Sequence, residues 1–473
     1  MSESLSSKLA HFAVTLTYED LPPEIVDKAK ACTLHNMTSG LLGSGTPRGI
    51  STLNLIKKEE SRSDGATILV DGHKATRMGA VFVNSDIMNV TNQCDSYRML
   101  THPGPILLPA ALASAELEGK SGKDFITAVV AGYEVHNRIA KNFIPSTQAR
   151  GFRSSSVYGT FGAAVATGKL LGLNEEKMMN AIALAVAATG GNLEGTRTGG
   201  GEFRIHEPNA ARNGTLAALL AQDNDRCSDT ILEGDAGFYH SFTGNNKGKL
   251  SYVYTGPKQT DLSSIVANLG KQYEMLNVTF KPYPTPGYNN PIIELMGKMK
   301  KQHAIDANQV KEITVEVNWL EITFPSPAFP REYLTKPRIG TIYYMTAYAC
   351  IEGGYPQYGR WWERGGQGGA GDGGQNPKVL ELMHQVRVVG SKERGFFSPK
   401  ITVIMNDGST FVDEYSGDEF KWDFEEDVRR LQGSIPGLPI SRERYNEFVA
   451  TIRNLEALTS VEKLLQLCIR DKK

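Results

Sequence analysis

The sequence predicts a mainly helical protein that contains an α+β part. Apolar residues recur at helical spacing through about the first 270 residues. Strand alternation appears only after about Leu276, and helical spacing returns from about Phe424 to the end. At roughly 100–200 residues per domain, 473 residues predict two or three domains with a sizeable core.

The helices of the first half have recognisable starts. Asp124 is a predicted N-cap for a helix that continues through Ile139, and Asn174 with two following acids begins another, which stops near residues 190–191. The Gly/Ala-rich segment after Tyr158 and a segment from about Asn209 are also predicted helices. Their small side chains predict close helix packing rather than a phosphate-binding role.

The α+β part begins with the Pro/Gly-rich loop 282–291 and a predicted helix from about Pro291. Residues 312–324 alternate like a strand, and residues 400–415 predict two strands joined by an Asn-Asp-Gly turn. The Gly-rich tract 363–377 lacks the preceding strand and the Lys-Ser/Thr of a phosphate loop, so it is interpreted as a mobile surface loop.

Composition excludes several classes of partner. Lys plus Arg (51) balance Asp plus Glu (52), which gives no reason to expect nucleic acid or an anionic membrane as a partner. The N-terminus does not resemble a signal peptide, and no apolar run reaches about 18 residues. Five dispersed cysteines predict reduced thiols in a cytoplasmic protein. No metal-ligand spacing and no cofactor motif is present, so neither metal nor cofactor is expected.

Four polar clusters are candidate sites, and three of them directly precede predicted helices, where free N–H groups favour anions. Taken alone, each cluster is also consistent with caps and solvated turns. Their candidate residues are Asn92, Asp95, Ser96, Tyr97, Arg98 and His102; Arg153; Arg204 and His206; and Lys281 and Tyr283.

At these clusters the chain resembles the MmgE/PrpD family over most of its length. The matching segments occur in the family's order, and this ordered series is specific although each piece is weak. They are 80–84 (AVFVN), the cluster that ends in Thr101-His102-Pro103, 128–139 (AVVAGYEVHNRI), 155–173 (SSVYGTFGAAVATGKLLGL), 206–221 (HEPNAARNGTLAALLA), 232–242 (LEGDAGFYHSF) and 280–284 (FKPYP).

The resemblance implies a large helical domain built from residues 1–272 and 421–473, with an α+β lid domain, residues 273–420, inserted between them. It also implies a homodimer and an active site in the cleft between the two domains. The substrate it implies is a small anionic carboxylate.

The site residues that the resemblance implies are partly kept in the first cluster. His102 stands at the family's histidine, and Ser96 takes the place of a hydroxyl residue that is usually threonine. Asp95 stands at the final aspartate of the family's acidic motif. Asn92 stands where the motif begins with an aspartate.

The other clusters depart further from the family. Arg153 stands where a histidine is expected, and Phe203 stands at a lysine position, with Arg204 beside it. Asn289 and Asn290 lie near the place of another histidine. One of three expected histidines therefore remains, while cations are kept or added.

The chemistry that the resemblance implies takes place at a carbon next to a carboxylate, where charge builds up that fixed cations stabilise. His102 is the candidate proton carrier, and Tyr97 and Tyr158 are candidates for a second one. Dehydration of a hydroxy acid is placed first. Decarboxylation of a cis-aconitate-like acid, epimerisation of an iminodisuccinate-like acid and a non-catalytic carboxylate-binding role remain alternatives.

Overall fold

The structure is a computed structural model that describes residues 4–223, 226–359 and 376–471. Most of the predicted Gly-rich loop, 363–377, lies outside these residues. The helices are Leu5–Thr15 (α1), Pro23–Gly43 (α2), Pro47–Glu59 (α3), Arg77–Asn89 (α4), Gly104–Leu117 (α5), Gly122–Ala140 (α6), Ile144–Ala149 (α7), Ser154–Leu170 (α8), Glu175–Ala188 (α9), Glu194–Thr198 (α10), His206–Leu220 (α11), Phe238–Thr243 (α12), Asn290–Gln302 (α13), Trp319–Ile322 (α14), Ile342–Glu352 (α15), Pro377–Leu382 (α16), Phe424–Arg430 (α17), Arg442–Arg453 (α18) and Glu462–Leu467 (α19).

The strands are short and form small sheets. They are Ser61–Thr67 (β1), Lys74–Ala75 (β2), Ser96–Tyr97 (β3), Val278–Thr279 (β4), Val310–Asn318 (β5), Pro325–Ser326 (β6), Phe329–Pro330 (β7), Val386–Ser391 (β8), Lys400–Met405 (β9) and Thr410–Glu414 (β10). The protein is thus mainly helical with a smaller α+β region, as the sequence predicts. No described helix is long and apolar enough to cross a membrane.

The core of the helical part is built from α5, α6, α8 and α11, which pack on one another. Small residues set their spacing. A Cβ added at Gly214 of α11 would lie 2.4 Å from the Thr160 carbonyl oxygen of α8, and one at Gly132 of α6 would lie 2.8 Å from the Gly162 carbonyl oxygen. Any larger side chain at these positions would push the helices apart, so the Gly/Ala content serves close packing.

The α+β part is organised by a four-stranded sheet with the order β10-β9-β5-β8. Strands β5 and β8 are parallel, and the pairs β5–β9 and β9–β10 are antiparallel. The hairpin of β9 and β10 confirms the prediction from the Asn-Asp-Gly turn. Helices α13 and α15 pack on each other and against this sheet.

The C-terminal tail packs on the N-terminal helix α2. His35 Nδ1 lies 2.7 Å from Asp427 Oδ1 of α17, and both side chains are fully buried. Lys28 Nζ donates to the carbonyl oxygen of Trp422 at 2.9 Å. Because these contacts join the two ends of the chain, the tail adds to the helical part rather than to the sheet.

Three local predictions need correction. Ser121, not Asp124, caps α6: its side chain accepts from the Asp124 N–H, while the Asp124 carboxylate accepts from the Ser121 N–H. The strand predicted over 312–324 ends at Asn318, whose side chain accepts from Leu320 N and starts the short α14. Strand β1 lies in the helical part and was not predicted, because its first four residues are exposed and lack apolar alternation.

Candidate active site

Two short strands bring the first and fourth clusters together. Ser96 and Tyr97 of β3 pair with Thr279 and Val278 of β4, in antiparallel register. The chain after β3 turns into α5, and the chain after β4 continues to Lys281. This pairing therefore places the residues that precede α5 beside Lys281, although about 180 residues separate them in the sequence.

A cavity of about 630 Å³ lies at this junction, between the helical part and the α+β part. Among the residues that the structure describes, its lining contains five lysine and arginine side chains and no aspartate or glutamate. The lining residues are Asn89, Val90, Asn92, Met99, Leu100, His102, Arg153, Thr196, Thr198, Gly199, Phe203, Arg204, Lys281, Pro286, Gly287, Tyr288, Phe324, Arg331, Tyr333, Arg338, Ile339 and Gly340.

His102 sits directly before α5 and is the only histidine in this lining. Its Nδ1 lies 3.1 Å from the Asp95 carbonyl oxygen and 3.3 Å from Lys281 Nζ. The carbonyl contact is the shorter one and a carbonyl oxygen only accepts, so we assign the proton to Nδ1, which leaves the lone pair of Nε2 free. Lys281 Nζ, which also only donates, is then a neighbouring charge and not a hydrogen-bond partner of Nδ1. Burial, followed by the charges of Lys281 and Arg153, holds the pKa of His102 well below its usual range. His102 is therefore a neutral imidazole.

Lys281 is nearly fully buried, and no described carboxylate pairs with it. Besides the contact to His102, its Nζ lies 3.4 Å from Cys94 Sγ. A buried cation without an anionic partner is costly. An anion in the cavity would supply that partner, which makes Lys281 a candidate ligand for a carboxylate.

Arg153 is the N-cap residue of α8, and its charge is already paired. Its Nε and Nη2 donate to Glu207 Oε1 at 3.2 and 2.8 Å, and Asn89 Nδ2 donates to Glu207 Oε2 at 3.3 Å. Glu207 lies in the first turn of α11 and is fully buried. Arg153 thus lines the cavity as one member of an ion pair, a feature that its sequence neighbourhood did not indicate.

Arg204 and Arg153 share the aromatic ring of Phe203. Their guanidinium carbons lie 5.8 and 5.9 Å from the ring centroid, within the range of cation–π contacts. No described residue forms an ion pair or hydrogen bond with the Arg204 side chain. The structure therefore brings Arg153, Arg204 and Lys281 to one cavity, and the charges of Arg204 and Lys281 are open to a ligand.

The α+β part contributes two arginines that the sequence analysis missed. Arg331 Nη1 donates to Tyr333 OH at 3.0 Å, and its Nε donates to the Thr196 carbonyl oxygen at 2.5 Å. The guanidinium of Arg338 lies 4.9 Å from the Tyr333 ring centroid. Each arginine directly follows a proline, in Pro330-Arg331 and Pro337-Arg338. These two Pro-Arg pairs in one loop are the sequence feature that could have identified the two arginines as candidate site residues.

The tyrosines chosen as proton carriers lie in the core instead. Tyr97 is fully buried, and its hydroxyl donates to Glu274 Oε2 at 2.8 Å. Tyr158 is also fully buried, with its hydroxyl 2.7 Å from Thr147 Oγ1. Burial raises the pKa of both phenols. Neither lines the cavity, so this geometry offers no support for proton transfer by them.

Other predicted residues of the first and fourth clusters also serve the fold. Ser96 Oγ donates to the Thr101 carbonyl oxygen at 3.3 Å, and Tyr283 OH donates to Glu294. Arg98 lies over the Tyr97 ring, 5.8 Å from its centroid, and outside the lining. Their contacts are with protein groups because the β3–β4 pairing turns this stretch toward the core.

Asp95 lies outside the cavity lining and contacts the residues around His102. Its Oδ1 accepts from Gly104 N at 2.9 Å, which caps α5, and its Oδ2 accepts from the Tyr133 hydroxyl. Burial raises the pKa of Asp95, and these donors oppose the rise. A Cβ at Gly104 would lie only 2.2 Å from Asn36 Nδ2, so only glycine fits there. Asp95 therefore positions His102, through its carbonyl and through the start of α5.

Asn92 lines the cavity with a left-handed backbone, φ 62°, which asparagine tolerates. His206 lies outside the lining, beside Gly191, and its buried Nε2 has no hydrogen-bond partner. Asn289, near the place of a missing family histidine, is fully buried and donates to Thr285 Oγ1 at 2.9 Å. Within the described residues, no three His, Cys, Asp or Glu side chains gather as metal ligands.

Fold and site together define a mainly helical protein with a cation-rich cavity built around one histidine. Residues 7–251, more than half of the chain, match the MmgE/PrpD N-terminal domain. The chain belongs to the MmgE/PrpD family.

Similar proteins carry names from one activity. The cis-aconitate decarboxylase-like protein oryM of Aspergillus oryzae is 27% identical over 67% of this chain and 66% of its own length. Cis-aconitate decarboxylase of Aspergillus terreus is 28% identical over 63% and 61%. The chain thus spans less than two thirds of the length of these two relatives. Human cis-aconitate decarboxylase is 24% identical over 99% of this chain and 95% of its own length.

Proposed function

We propose that this protein is a lyase that decarboxylates a small, cis-aconitate-like polycarboxylic acid without a cofactor. The observation that carries the proposal is the lining of the cavity: five basic side chains and no acidic one surround a neutral His102. The names of the relatives favour decarboxylation over the dehydration that the sequence placed first.

The proposed reaction breaks one C–C bond to a carboxylate. The electron pair of that bond forms a new C=C bond, and the π electrons of the neighbouring double bond shift to the carbon beside a second carboxylate. Negative charge builds up on that carboxylate while CO2 leaves. A proton then forms the new C–H bond. Cations fixed before the reaction stabilise that developing charge best, because they need not reorganise. Lys281 and Arg204 are the candidates, since neither is paired with a carboxylate among the described residues.

His102 is the candidate source of the proton. Burial, and then the charges of Lys281 and Arg153, hold its pKa low. Bound carboxylates oppose those cations and raise the pKa of His102 again. Binding of a polyanion therefore favours uptake of a proton by His102 Nε2, which can then be delivered to carbon. A general acid of this kind contributes about 10²–10⁴-fold to the rate.

Dehydration is the second candidate, and the low pKa of His102 favours it. A neutral imidazole is ready to remove a proton from carbon, which is the first step of that reaction. Epimerisation requires two proton carriers on opposite faces, and among the described lining residues only His102 is a histidine. A non-catalytic binder would use the same cations and show no turnover.

The test is incubation of the purified protein with cis-aconitate in D2O. We expect one CO2 released per molecule consumed and one deuterium in the product, measured by gas trapping and NMR. Hydration without release of CO2, the reverse of the dehydration, would establish the second candidate, and deuterium exchange without net conversion would indicate proton abstraction alone. Saturable binding without any of these changes would make the protein a binder. Absence of both binding and conversion would refute the assignment to this substrate class.

A further inference from the structure

The two arginines of the α+β part are used neither by the fold nor by the reaction step described above. Arg331 and Arg338, here called the arginine pair, line the cavity together with Tyr333. No described carboxylate lies within ion-pair distance of either guanidinium. Two positive charges therefore face the same cavity without a protein counter-charge.

Arg331 is held in place by neutral groups only. Its Nε donates to the Thr196 carbonyl oxygen, its Nη1 donates to Tyr333 OH, and its guanidinium lies 5.2 Å from the Phe324 ring centroid. These contacts fix the plane of the guanidinium while leaving its charge intact. Nη2 has no hydrogen bond to a described residue. A fixed, planar donor with free N–H groups suits a carboxylate.

Thr196 belongs to α10 in the helical part, so the hydrogen bond from Arg331 joins the two parts at the wall of the cavity. Arg338 is exposed and also contacts the Tyr333 ring, with its guanidinium carbon 4.9 Å from the ring centroid. The two arginines thus form a unit separate from Lys281, which contacts His102. A ligand that reaches both must carry at least two carboxylates.

Resting on the proposed function, we propose that Arg331 is a specificity-determining residue: it binds the substrate carboxylate that is remote from His102, with the exposed Arg338 as a second cation. It selects acids that carry this further carboxylate. The reacting end of the substrate is bound by Lys281 and Arg204, so loss of Arg331 removes one carboxylate contact and leaves the others.

The test compares unreactive ligands that differ by one carboxylate. Tricarballylate carries three, glutarate lacks the central one, and methylsuccinate lacks one terminal one. Calorimetry gives the affinity of each for the wild-type protein, Arg331→Gln and a matched control, Lys336→Gln. Lys336 is exposed, lies outside the cavity and carries the same charge in the same loop.

We expect Arg331→Gln to weaken tricarballylate by roughly 10- to 150-fold, the range for a hydrogen bond to a charged group. One of the two dicarboxylates, the one that lacks the carboxylate bound by Arg331, should bind the variant as it binds the wild type. Lys336→Gln should leave all three affinities within about twofold. Tyr333→Phe keeps the ring but removes a hydrogen-bond acceptor, so it should give the same selective loss at roughly 2- to 10-fold. This milder variant tests the proposal even if Arg331→Gln does not fold.

Equal weakening of all three ligands by Arg331→Gln would overturn the inference, because the arginine would then act only through long-range charge. Unchanged affinities would overturn it as well. Both results would leave the proposed function standing. Failure of the wild-type protein to bind any of the three acids would instead refute the proposed function, and the inference with it.

Discussion

Replacing Glu207 tests how much the Glu207–Arg153 ion pair contributes to the free energy of unfolding and how much it weakens ligand binding by Arg153. Its carboxylate is fully buried and accepts two hydrogen bonds from Arg153 and one from Asn89. Glu207→Gln keeps the shape of the side chain but removes its negative charge. The new NH2 group of the glutamine would face the N–H donors of Arg153 or Asn89. Breaking a buried pair costs about 3–5 kcal/mol. Arg153 borders the cavity, where water reaches it, so we expect the low end, about 3 kcal/mol.

For unfolding as one unit, about 2.1 cal/mol/K per residue converts this loss into a fall in Tm of roughly 3 °C. The same change frees Arg153 for a ligand. Tricarballylate should therefore bind the variant more tightly and raise its Tm more than that of the wild type. Each tenfold gain in affinity adds up to about 1.4 kcal/mol to the free energy of unfolding in the presence of the ligand.

The assay is thermal unfolding at increasing ligand concentration, with calorimetry for the affinity. Glu202→Gln is the matched control, because Glu202 is an exposed carboxylate in the segment just before α11. A Glu207→Gln protein that matches this control both in Tm and in ligand response would refute the argument. The Glu207–Arg153 ion pair would then contribute nothing to stability, and it would not compete with the ligand for Arg153.

The remaining predictions concern proton transfer. His102→Asn should lower kcat by about 10²–10⁴-fold while ligand affinity stays within about tenfold, measured by steady-state kinetics and calorimetry. Tyr97→Phe and Tyr158→Phe should keep kcat within about threefold, since both hydroxyls lie in the core. A loss of kcat comparable to that of His102→Asn would show that the tyrosine takes part in proton transfer. If His102 donates the proton, kcat should fall as the pH rises through the pKa of His102 in the complex, and this limb should vanish in His102→Asn. A rising limb would favour proton abstraction and hence dehydration.

Local patterns predicted the elements whose stability depends on neighbours in sequence. The Asn-Asp-Gly turn at 406–408 predicted a hairpin because the turn geometry is set by those residues alone. The caps of α9 and α18, Asn174 and Ser441, follow from side chains that reach the N–H groups three residues later. The resemblance added the order of the polar clusters, which placed His102, Arg153, Arg204 and Lys281 in one site.

Sequence could not show which way a polar side chain faces. Tyr97 and Asp95 flank the same turn as His102, yet their partners are Glu274 and Tyr133, residues far away in the chain. Only the β3–β4 pairing decides that these side chains point to the core. Arg331 was missed for a related reason. Its partner carbonyl belongs to Thr196, more than a hundred residues earlier, so the contact has no local pattern.

The loss of two of the family's histidines, one of them replaced by Arg153, changes how the site must work. The family's pattern implies three histidines. Among the described residues, the cavity lining has one histidine and five lysine or arginine side chains. Burial, and then the charges of Lys281 and Arg153, lower the pKa of His102, and a bound anion opposes the effect of those charges. A monocarboxylate offsets one charge, whereas a tricarboxylate offsets three. Under the proposed function, the number of substrate carboxylates would therefore set both the affinity and the protonation state of His102, and acids with one carboxylate would be poor substrates even where they fit.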